Sequence, residues 1–360
     1  MLTTDSLNRL RRDASIVTVV ERFIKLKRQG NNYSACCPFH NEKSPSFSVN
    51  AVQNFFKCFG CGRGGDAVSF VRQHEKLDFP EAAEVVAEIC GIQLERDNGF
   101  DNEAYQQKKV ERKGLQQLMD ECAAKFTTAL WQPGNPGMKY LTEERGYDEA
   151  TIHYWNIGFA GDDNGIVRHY FSAGALPQLL QLSLITEKEH GHYDFFQNRV
   201  LFPIINERGE TVSFGGRVLG NGKPKYLNTA TTELYDKSRT LYGLYQGAAG
   251  IKALGFAILC EGYTDTISLH RAGLTNAVAP CGTGLSPEQC QLLKRHTDRI
   301  MLMRDGDEAG IKATARDLPL LLRYGFAVDV MPLEDRKDAD DLAKEFITVG
   351  SQPSCHSQNN

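Results

Sequence analysis

Three short apolar runs in the C-terminal part of the chain each run on into carboxylates. Phe256-Ala257-Ile258-Leu259-Cys260 leads into Glu261-Gly262-Tyr263-Thr264-Asp265, Ile300–Arg304 into Asp305-Gly306-Asp307, and Ala327–Met331 precedes Asp338-Ala339-Asp340-Asp341. If the runs are neighbouring parallel strands, their carboxyl ends share one rim, where α/β folds place their sites. Glu261, Asp265, Asp305, Asp307, Asp338 and Asp340 gathered there would repel one another, and a hard divalent cation with oxygen ligands, such as magnesium, relieves that repulsion. Asp-Gly also makes turns, and acids after strands also cap helices. Each motif alone therefore decides little; the threefold repetition in one context favours a metal rim.

A second group has metal-ligand spacing of a different kind. Cys37-Pro38-Phe39-His40 and Cys58-Phe59-Gly60-Cys61 are two knuckles separated by seventeen residues with β character, Ser46–Val49 and Asn54–Lys57. Three thiolates and an imidazole make a closed tetrahedral zinc site with no position left for chemistry. Cys37 gives the right reach to His40, so the adjacent Cys36 is the spare. A ribbon this small holds little apolar area, and the metal, worth about 10–16 kcal/mol in comparable sites, is expected to hold it together. Phe47, Phe55, Phe56 and Phe59 with Lys43, Lys57 and Arg63 form a candidate stacking surface for single-stranded DNA, although some of these rings must fill the ribbon's core. Gly62-Arg63-Gly64-Gly65-Asp66 reads as a turn needing positive φ, ending in a helix cap, in preference to a phosphate cradle.

Charge divides along the chain. The net charge of −4 hides a division, with +6 over residues 1–76 and −3 over residues 251–345. A basic front and an acidic back suit a protein that holds nucleic acid in one place and metal in another. Between them lie cations on strand edges and loops: Arg145, Arg199, Arg217 after Gly215-Gly216, then Lys223, Lys225 and Lys237. Gly215-Gly216-Arg217 brings backbone close to some neighbour and sets an arginine beside it, with phosphate the natural guest. Ten cysteines in a chain of 360 residues, most of them scattered among apolar neighbours, suit metal binding and reduced thiols better than disulfides. With no apolar run near the ~18 residues of a membrane span and no signal-peptide core at the N-terminus, a cytoplasmic protein is expected. Gly220-Asn221-Gly222-Lys223-Pro224 lacks P-loop spacing, which argues against an ATP-driven helicase.

The elements that position these residues follow from periodicity and punctuation. Helices are expected at Thr4–Arg12, Ser15–Arg22, Ala67–His74 and from Asp78-Phe79-Pro80 to Gly91. Strand 256–260, helix 264–272, strand 276–279, the loop Cys281-Gly282-Thr283-Gly284, a helix opened by the capping box Ser286–Gln289, strand 300–304, a helix from Glu308 kinked or split at Pro319, strand 327–331 and a helix from Ala339 make a parallel sheet with helices on both faces. The fold class is multidomain α+β and α/β: a zinc ribbon (1–95), a linker (96–114) grading into a helix that the Trp131–Gly137 stretch ends, a mixed α+β basic part (115–250), an α/β parallel sheet (251–346) and a polar tail (347–360) in which Cys355-His356 is too isolated for a metal site.

Cys37–Phe70, Phe214–Leu219, Pro224–Asn228, Leu241–Leu244 and Glu261–Asp307 together resemble the bacterial DnaG-type DNA primases, from residue 4 to about 345. The last domain resembles the Toprim fold, shared with type IA and type II topoisomerases and some nucleases. The resemblance implies one structural zinc on Cys37, His40, Cys58 and Cys61, in a ribbon that helps select the template. It implies two or more Mg²⁺ or Mn²⁺ ions among Glu261, Asp265, Asp305, Asp307, Asp338 and Asp340, with Glu261, Asp305 and Asp307 as the catalytic subset. Arg145, Arg217, Lys225 and Lys237 would hold the template or the incoming triphosphate, with Arg199 and Asn228 joining that set. The implied activity is primer synthesis, an RNA polymerase starting chains on single-stranded DNA from NTPs, in a monomer. The family's partner helicase binds a C-terminal domain absent here, so the chain is expected to be a fragment or a short primase of a phage or mobile element. Where the family has proline between the first two aspartates of the third acidic motif, this chain has Ala339. A Toprim nuclease or topoisomerase-like enzyme, or a non-catalytic single-stranded DNA-binding module, are the alternative readings.

Overall fold

The computed structural model describes residues 2–40, 42–75, 77, 79–96, 101–282, 284–334 and 337–350. They form two compact units, residues 1–107 and 108–360. Asp78, Thr283, part of the expected linker and the tail with Cys355 and His356 fall outside the described residues. No helix among the described residues is long and apolar enough to cross a membrane.

The first unit contains α1 (Thr4–Asp13), α2 (Ile16–Glu21), β1 (Lys27–Gln29), β2 (Asn32–Ala35), β3 (Phe47–Asn50), β4 (Phe55–Cys58), β5 (Gly64–Gly65), α3 (Ala67–His74) and α4 (Phe79–Cys90), and α5 (Asn102–Leu130) begins in it. The helices start where their caps predict: Thr3, Ser15 and Asp66 each accept a backbone N–H of the first turn. The five strands pair in chain order as one antiparallel sheet. The β1–β2 hairpin was not foreseen, because Lys27-Arg28-Gln29 is exposed on both faces and carries no alternation. The ribbon also has more core than expected. Phe47, Val49, Phe56 and Phe70 pack in one buried cluster with Ile16, Val19, Val20 and Val86, so four helices lend the sheet the apolar area it lacks alone. Of the proposed stacking surface, Phe47 and Phe56 are therefore core, while Phe55 and Phe59 are 39% and 77% exposed.

The second unit opens with the rest of α5 and continues through α6 (Pro136–Lys139), a π turn at Tyr140–Glu144, α7 (Glu149–Tyr154), β6 (Gly158–Ala160), α8 (Gly165–Tyr170), α9 (Leu176–Gln181), β7 (Ile185–Lys188), β8 (Gly191–Asp194), β9 (Arg199–Ile205), β10 (Thr211–Val218) and β11 (Tyr226–Asn228). Strands β11-β10-β9-β6 form an antiparallel sheet. Then come β12 (Leu241–Tyr242), α10 (Leu244–Leu254), β13 (Ala257–Leu259), α11 (Tyr263–Arg271), β14 (Ala277–Pro280), α12 (Pro287–Lys294), β15 (Arg299–Leu302), α13 (Glu308–Arg323), β16 (Ala327–Val330) and α14 (Ala339–Gly350). Their sheet has the order β12-β14-β13-β15-β16. The four apolar runs pair in parallel, as expected, and β12 adds an antiparallel edge beside β14. Alternate residues serve opposite faces: Ala257, Leu259, Ile300 and Leu302 lie in a cluster with Leu293 and Leu321, Ile258, Cys260 and Ala277 in another with Leu269 and Ala343. Helix α13 is not split at Pro319. Leu321 beyond it is fully buried, and packing of that last turn outweighs the lost backbone bond.

Gly215-Gly216 closes on aromatic rings. A Cβ on Gly215 would lie 2.3 Å from the Tyr263 ring, and one on Gly216 would lie 2.6 Å from Phe196. Tyr263 opens α11, so Gly215 lets the antiparallel sheet close against the element that carries the first acidic motif, while Gly216 makes room for Phe196. Gly215→Ala should therefore lower stability by about 1–3 kcal/mol through overpacking. Gly114→Ala, in a helix where nothing lies within 4 Å of the added carbon, should raise it by up to about 1 kcal/mol. Denaturant midpoints of the two variants check both signs.

Candidate metal centres and the acidic rim

The two Cys/His knuckles converge. Ligand atoms of Cys37, His40, Cys58 and Cys61 all lie within 4.8 Å of one another, with Cys37 Sγ and Cys61 Sγ 3.8 Å apart and Cys58 Sγ 3.8 Å from His40 Nδ1. Tetrahedral bonds of about 2.3 Å set sulfur ligands about 3.8 Å apart, so the donor set fits zinc. Cys36 is exposed and outside the cluster. Burial pushes the Cys37 thiol up, while hydrogen bonds, first that of Ser46, draw Cys58 down against its own burial. Thiolates this close ionise together only around a cation. Glu42 was missed by sequence reasoning, since a lone acid near a knuckle carries no spacing signal. It accepts from the Cys37 and Ser46 amides at 2.6 and 3.0 Å and lies 3.1 Å from His40 Nε2. That contact leaves Nδ1 facing the thiols, the tautomer a metal-bound histidine needs.

The parallel sheet gathers the acids on its carboxyl edge. Several of them cap helices as well. Asp265 accepts the Gly262 amide at 2.8 Å, Asp307 the Gly310 amide at 2.8 Å and Asp338 the Asp341 amide at 2.8 Å. Asp341 accepts weakly in return from Asp338 N, so a reciprocal cap shapes the loop that has Ala339 in place of proline. Glu261 is held by the Asp305 amide at 3.2 Å. Gly306 is required between the two aspartates, because a Cβ there would lie 2.0 Å from the Glu334 carbonyl. Its amide donates to the Lys337 carbonyl at 2.9 Å, which brings the third acidic loop against the second. Asp265 is raised to about 7, by burial first and then by Asp305 and Asp338. Asp305 is also raised to about 7, by burial and then by Glu261, Asp338 and Asp307. Burial and mutual repulsion hold two of these acids back from ionising, a cost that a divalent cation would relieve. Among the described residues, no acidic group draws its oxygens together as the Cys/His set does its ligand atoms.

Asp340 stands apart from the other five. It is 2% exposed and accepts from Arg145 Nη1 at 2.8 Å, Lys344 Nζ at 2.8 Å and Ser268 Oγ. Burial raises it, but the bonds from Lys344 and Ser268 outweigh that and hold it below the usual carboxylate range. Its oxygens are engaged in tying Arg145 to α11 and α14. Arg145 also donates to Tyr140 O–H at 2.7 Å.

The other basic candidates sort by exposure. Arg199 is 5% exposed and donates to the Gly216 and Pro224 carbonyls at 3.0 Å each, stapling β9 to the loop before β11. Arg217 lies over the Tyr140 and Tyr226 rings at 5.4 and 5.7 Å. It lines an open groove of about 880 Å³ with Gly220, Asn221, Gly222, Lys223, Pro224 and Lys225. Both lysines are exposed. Asn228 accepts from Tyr263 O–H at 2.7 Å, which fixes β11 beside the first acidic motif. Lys237 is half-buried, and its carbonyl accepts from Gln289.

Chelation should raise amide exchange at residues 36–46 and 58–66 while α3 and α4 stay protected, and Glu42→Gln should weaken zinc about tenfold or more against a chromophoric chelator. At the acidic rim, Asp305→Asn should stabilise the divalent-free protein by about 1–2 kcal/mol, allowing for solvent screening, and Mg²⁺ should raise the wild-type melting temperature but not that of the variant.

Three family models match consecutive segments: the CHC2 zinc finger at residues 2–102, the DNA primase catalytic core N-terminal domain at 126–248 and a Toprim-like domain at 258–343. The DNA primase of Halalkalibacterium halodurans is 37% identical over 350 residues, 95% of this chain and 57% of the relative. That of Escherichia coli K12 is 37% identical over 345 residues, 94% of this chain and 59% of the relative. The chain thus spans under two thirds of the length of these two relatives. The zinc-binding and RNA polymerase domains of the Aquifex aeolicus primase superpose with a TM-score of 0.61 at 33% identity, covering 95% of this chain and 82% of that one. A structure of the DnaG primase catalytic domain bound to single-stranded DNA gives 0.61 at 34% identity, covering 66% and 78%. The zinc ribbon, the antiparallel basic sheet and the acid-edged parallel sheet follow one another as those matches require, and the chain belongs to the DnaG-type DNA primase family.

Proposed function

We propose that the chain is a priming polymerase: it joins NTPs into short RNA on a single-stranded DNA template, the 3′-hydroxyl of one nucleotide attacking the α-phosphate of the next with release of pyrophosphate. The observation that carries this reading is the bond from Tyr263 to Asn228. It sets the strand that follows Lys225 against the helix that follows Glu261, so a phosphate-binding groove and an acidic rim adjoin.

Glu261, Asp265, Asp305, Asp307 and Asp338 are the residues that would hold Mg²⁺ or Mn²⁺, two ions or more in this reading, with Glu261, Asp305 and Asp307 nearest the reacting groups. Such cations lower the pKa of the attacking hydroxyl and offset charge on the leaving pyrophosphate. Arg217, Lys223 and Lys225 meet template or triphosphate phosphates, and Lys237 extends that cationic surface. Arg199 supports the groove from beneath, Asn228 orients β11, and Asp340 with Arg145 braces the rim. In the first unit, the zinc ribbon presents Phe55 and Phe59 to template bases, in line with the stacking that single strands favour. The domain limits read from composition, 1–95, 96–114, 115–250, 251–346 and the tail 347–360, are kept as the working division, except that β12 at 241–242 belongs with the sheet of the fourth segment. A cytoplasmic, monomeric protein served in its family by a replicative helicase completes the reading. A topoisomerase-like reaction is disfavoured, since a primase zinc finger and a primase core domain accompany the Toprim-like domain.

A primer assay with single-stranded DNA, labelled NTPs and Mg²⁺ tests the proposal. Short RNA products are expected from the wild type and none from Asp305→Ala, with Lys225→Ala active but binding template more weakly and with a shallower salt dependence. DNA cleavage without RNA synthesis would overturn it.

A further inference from the structure

The parallel ladder between β13 and β15 ends two residues before Glu261 and three before Asp305. Leu259 pairs with Leu302, and Met303 N donates to the Leu259 carbonyl at 3.0 Å. Beyond that point a side chain joins the two strand ends. Arg304 Nη1 donates to the Cys260 carbonyl at 2.5 Å, and Nη2 of the same guanidinium donates to Asp317 Oδ2 at 2.6 Å. Cys260 immediately precedes Glu261, and Arg304 immediately precedes Asp305. Asp317 lies well inside α13, the helix that the Asp305-Gly306-Asp307 loop enters, and its other oxygen accepts from Arg316 Nε at 2.8 Å.

We infer that Arg304 and Asp317 are positioning residues for the acidic rim: one planar guanidinium sets the spacing between the strand ends that carry Glu261 and Asp305, and α13 holds it in place. The geometry needs the arginine fork, since both strand end and helix are reached by nitrogens of one rigid plane. Stability alone does not account for the pair. Arg304 and Asp317 are 6% and 0% exposed, Arg304 Nε has no hydrogen-bond partner, and a buried ion pair is often no more stable than apolar residues of similar volume. What the pair contributes that apolar residues cannot is a fixed separation at the point where the ladder stops. Metal centres depend on such outer contacts, whose loss weakens metal binding about 10–100-fold.

This inference rests on the reading of the rim as a divalent-cation site. The test uses the whole chain and Mn²⁺ alone, followed by EPR titration, with melting temperature and amide exchange at Asp305 and Gly306 measured without metal. The double variant Arg304→Met/Asp317→Leu leaves the protein's net charge unchanged, and the loss of the Arg304 cation beside Asp305 would by itself favour Mn²⁺, so weaker binding reports lost positioning. It should stay folded, exchange faster at both amides and bind Mn²⁺ at least about tenfold more weakly. Arg304→Lys keeps the ion pair and loses the fork; it should fold and show the same direction of change, which settles the matter if the double variant fails to fold. Mn²⁺ affinity and exchange within twofold of wild type in a folded variant would overturn the inference while leaving the proposed function intact. Absence of Mn²⁺ binding in the wild type, unaltered by Asp305→Ala, would overturn both.

Discussion

Like charges gathered on one edge of a parallel sheet are the constraint on which the second unit of this molecule depends. A parallel sheet points every strand's carboxyl end the same way, and here those ends hand Glu261, Asp305 and Asp338 to neighbouring loops. Folding must hold them together against their repulsion. It does so with local bonds that also start helices: Asp265, Asp307 and Asp338 each accept a backbone amide at a helix N-terminus, where the helix dipole favours negative charge. Capping and metal binding are therefore compatible uses of the same acids. The amides take one lone pair from each and fix the direction of the rest.

Much of this was legible in the residues. The apolar runs, their acid endings and the capping box at Ser286 located the parallel strands and most of the helices, because each of those signals is local. The knuckle spacing located the zinc ligands for the same reason. What could not be read was set by tertiary neighbours. Asp340 looks like its companions in sequence, yet Arg145, far away in the chain, pairs with it in the fold. Arg199 looks like a phosphate ligand and is buried as a staple. Gly215-Gly216 signals close approach correctly, but a glycine does not say what approaches, and the neighbours are aromatic rings. Glu42, Ser268 and Arg304 carry no spacing signal at all.

The cationic residues divide by the same logic into two kinds of work. Arg145, Arg199 and Arg304 are enclosed, with carbonyls or carboxylates as partners; they shape the rim and the sheet beside it. Lys223 and Lys225 present exposed side chains on a groove, the kind of surface that attracts a mobile polyanion. Arg217 belongs to both groups, resting on two tyrosine rings while one edge lines the groove.

Strand β12 and the ring of Tyr263 carry a consequence for modularity. The parallel sheet draws its edge strand from residues 241–242, ahead of the point where composition changes, and Tyr263, Ile267 and Cys281 lie in the same apolar cluster as Phe202 and Phe214 of the antiparallel sheet. The metal-binding sheet is thus no detachable cassette. Cutting near residue 250 would strip it of an edge and lay open an aromatic seam, so the groove and the rim are inherited as one object, and a change in either is felt in the other's packing.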